Sequence, residues 1–145
     1  FIRFSVGTAV VGTVDLVEFD VPAANVGSGT DIARTNGGAV AVSLLSNGGV
    51  VTLTGTTAGA LTDGTEDISF AEILSSSSNA LLGAPVLVSG AASPAVTITP
   101  NIGTKVVDRT ANWTFAYSNT DVVGAGTYGG VNTNNGRVTY TASMP

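Results

Sequence analysis

The chain has 145 residues, enough for one domain with a sizeable core. It holds no cysteine and no histidine, which excludes disulfides, iron–sulfur clusters, thiol catalysis and the commonest general base and transition-metal ligand. Five basic residues (Arg3, Arg34, Lys105, Arg109, Arg137) stand scattered against ten acidic ones, a net charge of −5, so no nucleic-acid partner is expected.

Only 10% of residues are charged while 43% are hydrophobic. That is a thin charged coat for an isolated soluble monomer, and it predicts that much of the surface becomes interface. No apolar run reaches the length of a membrane-spanning helix. The chain starts with Phe and carries no charged-then-apolar leader, which reads as a mature chain whose targeting segment has been removed.

In chain order, "FIRFSVGTAVVGTV" predicts an extended strand. Ile2, Phe4, Val6, Thr8, Val10, Gly12 and Val14 fall on one face, with Phe1, Arg3, Ser5 and Gly7 leading the other. Asp15, Glu18 and Asp20 follow; Glu18 and Asp20 share a strand face, a poor general acid/base arrangement. "GAVAVSLL" and "GVVTLTGT" flank "SNGG", and Asn47-Gly48 predicts a hairpin. "DGTED" gathers Asp63, Glu66 and Asp67, oxygen ligands of the kind calcium prefers, but without EF-hand spacing; a solvated acidic turn is expected instead. "DISFAEILSSSSN" predicts one or two helical turns or an irregular crossover.

"APVLVS" and "PAVTIT" read as short strands, with Pro85 and Pro94 at their starts. "ANWTFAYS" puts Trp113, Phe115 and Tyr117 on one face, the expected heart of the core. The "NWT" at Asn112 is a formal glycosylation sequon. "GAGTYG" matches a dinucleotide fingerprint, but "GVNTNNG" after it cannot start the helix that would receive a pyrophosphate; a glycine-rich turn is expected. "RVTYTASM" closes the chain, with Val138, Tyr140, Ala142 and Met144 on one face and a turn at Asn135-Gly136 before it. Short strands separated by turns, with no helices between, predict an all-β antiparallel sandwich. No catalytic site, metal or cofactor is expected: no serine sits in G-x-S-x-G, and nothing marks Lys105 as a desolvated base.

The alternating leading strand running into "GTVDLVEFDVP", the "WTFAY" strand, "AGTYGG" and the terminal "GRVTYTASM" together resemble a donor-strand-complemented pilin, a fimbrial major subunit of chaperone–usher or biofilm-matrix type. The resemblance spans the chain as architecture, on short motifs, and departs from many chaperone–usher pilins in lacking their disulfide. It implies an immunoglobulin-like sandwich (residues 15–145) preceded by an N-terminal donor strand (residues 1–14). That strand would fill the groove of a neighbouring copy in an extracellular, cell-surface filament for adhesion or biofilm formation. Other copies of the chain and a secretion chaperone would then be its partners.

Ile2, Phe4, Val6, Thr8 and Val10 would be the pocket-filling residues, with Gly7 or Gly12 permitting a change of direction. Four large apolar side chains would contribute roughly 6–12 kcal/mol before ordering costs. The core aromatics would be Trp113, Phe115, Tyr117 and Tyr140. Two other classes stay open: a carbohydrate-binding or adhesive module using Trp113, Tyr117 or Tyr128, and a jelly-roll-type shell subunit.

Overall fold

The computed structural model describes residues 1–7, 16–35 and 39–145. Strands come in chain order as β1 (Ile2–Val6), β2 (Ile32–Ala33), β3 (Val40–Ser46), β4 (Val51–Thr57), β5 (Leu61–Thr62), β6 (Asp67–Ile68), β7 (Ile73–Ser77), β8 (Val96–Ile98), β9 (Val107–Tyr117) and β10 (Val138–Ser143). Every named pairing is antiparallel. The described residues are nearly all strand and loop, so the all-β, sandwich-type expectation holds.

The period-two alternation of the sequence decides the layers. In β3, Val40, Val42 and Leu44 are buried while Ala41 and Leu45 are exposed; in β4, Val51 and Leu53 are buried. β9 carries Val107, Ala111, Trp113 and Tyr117 inward. One sheet runs β1-β3-β9, with β2 beside β3 on one flank of β9 and β7 on the other; the second runs β10-β4-β8. A core cluster drawn from both sheets binds them together, and the Trp113 and Tyr140 rings meet across the gap at 5.1 Å.

Several expectations need correction. Asn47-Gly48 does not make a hairpin: β3 and β4 lie in different sheets, so the turn carries the chain from one layer to the other. Burial of Val42, Leu44, Val51 and Leu53 on opposing layers outweighs the local turn preference. "APVLVS" forms no strand; Pro85 and Leu87 are buried, and the Val88 carbonyl accepts from Thr57 Oγ1 at 2.6 Å instead of entering a ladder. The helical segment shrinks to one 3-10 turn, Phe70–Glu72, capped by Ser69 Oγ, after which the serine run becomes β7. Ser76 and Thr114 exchange a hydroxyl hydrogen bond of 2.5 Å across that pair.

The long leading strand also ends early. β1 stops at Val6, and Gly7 takes φ 82°, a left-handed conformation that breaks an extended run. Thr8, Val10, Gly12, Val14 and the expected 14/15 boundary lie outside the described residues.

Candidate functional site

β1 lies beside β3 of its own chain, with Ile2 opposite Ser46 and Val6 opposite Val42. Among the described residues β3 is its only ladder partner, and β1 forms an edge of the sheet. Alternation gives it two faces. Ile2, Phe4 and Val6 are half-buried and pack on the core cluster, while Arg3 is exposed. On the outer face Ser5 Oγ and Ser43 Oγ lie 2.8 Å apart. The Gly7 N–H donates to the Ala41 carbonyl at 2.7 Å and closes the pairing. β1 also approaches β10 of the facing sheet, so it seals that side of the sandwich.

The aromatics divide. Trp113 is fully buried and its Nε1–H donates to the Leu82 carbonyl at 3.1 Å; Tyr117 is buried too, so neither presents a face to a sugar ring. Phe115 and Tyr140 are half-buried against the core. The Tyr140 hydroxyl has no partner in its buried position, and burial pushes its pKa far up.

A second polar cluster escaped the sequence reading. Glu72, buried at the end of the 3-10 turn that leads into β7, accepts from Ser118 Oγ and Thr120 Oγ1, and its carbonyl accepts from the Ser118 N–H at 2.8 Å. Burial, then the neighbouring Glu72 carboxyl, raises the Asp121 pKa. Next to them Asn119, fully buried at φ 58°, donates through Nδ2 to the Asn25 carbonyl at 2.8 Å and accepts from the Gly27 N–H at 3.1 Å. It pins the 22–30 segment to the end of β9. "SNTD" offered a turn signal and nothing that distinguishes a pin from an exposed loop.

The acidic turn is occupied with its own backbone. Asp63 Oδ1 accepts from the Glu66 and Thr65 N–H groups at 2.7 and 2.8 Å, which holds its pKa below the usual value. Glu66 Oε2 accepts from the Gly124 N–H at 2.8 Å, and the Tyr128 hydroxyl donates to the Gly124 carbonyl at 2.8 Å, so "DGTED" and "GAGTYG" dock on each other. Among the described residues no three acidic or other metal-ligating side chains gather around one point. Glu18 and Asp20 are both exposed, alternating with half-buried Val17, Phe19 and Val21; Asp15 is outside the described residues. Asn112 is exposed in mid-strand, where with Ser5, Ser43, Thr110 and Ser78 it lines a shallow depression of about 350 Å³ on the outer sheet face.

The strand registers place the loops at two ends. At one, which we call the Ile102 end, the 47–50 and 99–106 turns meet through a Gly49 N–H to Lys105 carbonyl bond of 2.9 Å. Phe1 adjoins them, its carbonyl accepting from the Asn47 N–H at 3.3 Å. At the other, the Glu72 end, lie the "DGTED" turn, the 118–137 loop and the segments around β2. No helix among the described residues is long and apolar enough to cross a membrane. No family model matches the chain, and neither a curated protein nor a solved structure is significantly similar to it.

Proposed function

We propose that the chain is the structural subunit of an extracellular, cell-surface filament for adhesion or biofilm formation. In this reading an immunoglobulin-like sandwich polymerises by placing β1 of one copy beside β3 of the next. One observation supports it: β1 is a short apolar strand, held along one side among the described residues, whose Ile2, Phe4 and Val6 pack on the core and whose end is a glycine at φ 82°.

In the single chain that position is filled from within, so the filament requires exchange of β1 between copies. The same ladder bonds and side-chain contacts form in either arrangement, which makes exchange nearly balanced in energy and driven by concentration. Three half-buried apolar side chains contribute roughly 3–6 kcal/mol to whichever sheet receives β1. An exchanged strand links each copy to the next without closing, and a fibre follows.

The test uses Ser5 and Ser43, directly opposite each other in a chain without cysteine. Ser5→Cys with Ser43→Cys places two thiols at cross-strand spacing suited to a disulfide. Oxidised as a monomer, the double variant has β1 locked at home and is expected to form no fibres that persist by electron microscopy in about 0.5 M sodium chloride, where charge-dependent surface contacts weaken; reduction restores them. Salt-stable fibres formed by the locked protein would remove strand exchange from the account.

A further inference from the structure

The two ends of the sandwich differ in charge and in exposed apolar surface, and the differences are complementary. At the Ile102 end the 99–106 turn is tightly braced. The Asn101 N–H donates to the Val106 carbonyl at 2.7 Å, and the Thr104 N–H to the Asn101 carbonyl at 3.0 Å. Arg109 holds the same turn through the Asn101 side chain and, at 3.3 Å, the Thr99 carbonyl. On that rigid frame Ile102 stands wholly in solvent, with Val50, Val106 and Phe1 also exposed nearby. Among the described residues, Arg3, Lys105 and Arg109 are the basic residues of this half, against Asp108 alone.

The opposite end holds most of the acid. Asp63, Glu66 and Asp67 come from one turn, Asp20 and Asp31 from the segments flanking the 22–30 loop, and Asp121 from beyond β9. Glu18 and buried Glu72 belong to the same half, where the basic residues are Arg34 and Arg137. Val122 and Val131 are exposed there.

We infer that the Ile102 end of one copy docks on the Glu72 end of the next, Ile102, Val50 and Val106 meeting Val122 and Val131 while Lys105 faces the acidic turn. A braced, fully exposed isoleucine beside a lysine matches an acidic surface with its own apolar residues, whereas two like ends would repel. The contact joins unlike surfaces, so it propagates. It deepens the filament reading by supplying the end-to-end contact between copies. Eight residues, 8–15, connect Gly7 to Leu16, and a chain of that length reaches at most roughly 30 Å, against about 23 Å for the seven-residue strands β3 and β4.

The two contacts are separated by working on the locked Ser5→Cys, Ser43→Cys protein, in which β1 cannot exchange. Sedimentation velocity is expected to show concentration-dependent association that weakens as sodium chloride rises from about 0.05 to 0.5 M. Ile102→Glu, on a side chain free of contacts, should weaken it at least about tenfold with an unchanged circular dichroism spectrum. Asp67→Lys with Val122→Lys should do the same from the other end. An equimolar mixture of the two variants keeps one good end of each kind and should form dimers and nothing longer. A locked protein that stays monomeric at every concentration and salt, an Ile102→Glu variant that associates like its parent, or a mixture that fails to pair would each overturn the docking. None of these would touch strand exchange, which is read from the unlocked fibre.

Discussion

β9 and β1 belong to the same sheet and are held in opposite ways. β9 is eleven residues long, paired with β3 and β2 on one flank and β7 on the other, and it carries Trp113 and Tyr117 into the core. β1 is five residues long, paired among the described residues with β3 alone, and half-buried. Cohesion of the monomer therefore sits on β9, while β1 completes a sheet that largely stands without it. Under the proposed exchange, this contrast marks β1 as the strand that would move between copies: it has one neighbour among the described residues, a small buried area and a glycine at its exit.

Four substitutions bear on that contrast, from the largest effect to the smallest. Trp113→Ala should cost about 3–5 kcal/mol in urea unfolding, through the cavity between the sheets and the lost indole bond to the Leu82 carbonyl, which keeps only the Ser77 hydroxyl as donor. Asn119→Ala should cost about 2–3 kcal/mol, because the Gly27 N–H loses its acceptor and the Asn25 carbonyl keeps only the Ser28 N–H where β9 ends. Phe4→Ala should cost only about 1–2 kcal/mol in the monomer. A loss as large as that of Trp113→Ala would erase the distinction between the two strands. Tyr140→Phe removes a buried hydroxyl with no partner and should stabilise by at most about 1 kcal/mol.

Asp121 adds a pH signature. Its folded pKa lies above its ordinary value of 3.8, so the native state holds the proton more tightly than the unfolded chain. Its contribution is favourable below the ordinary value and is lost as pH rises through the raised one. Asp121→Asn should therefore gain stability over the parent at pH 7, and the gain should vanish as pH falls below about 4. Unfolding midpoints of both proteins at the two pH values check this; a gain that persists in acid would remove Glu72 and Asp121 as its source.

Legibility in the sequence followed how far local pattern and tertiary burial agreed. β10 and the second half of β9 were readable because their alternation largely follows their burial: Trp113 and Tyr117 in, Phe115 half-buried, Thr139, Thr141 and Ser143 out; residues 107–110, where β9 begins, carried no strand expectation. Asn47-Gly48 misled because turn chemistry specifies a reversal, not the sheet to which the next strand returns. The serine run of β7 was hidden for a related reason, since its ladder with β9 and the Ser76–Thr114 hydroxyl pair stabilise residues of weak strand preference. Glu72 and Asn119 could not be found from spacing, because their partners at 118–120 and 25–30 are distant in the chain. Of the five expected pocket-filling residues, Ile2, Phe4 and Val6 face the core within their own sheet, and Thr8 and Val10 lie outside the described residues.

The central claim is that β1 lies on a neighbour once copies assemble. Fibres of the Ser5→Cys, Ser43→Cys variant, grown reduced and then oxidised, answer it on a non-reducing denaturing gel. The account predicts a ladder of cross-linked multimers, since residue 5 of each copy faces residue 43 of another. A single monomer-sized band with an intact disulfide would show that β1 never leaves home, and would contradict it.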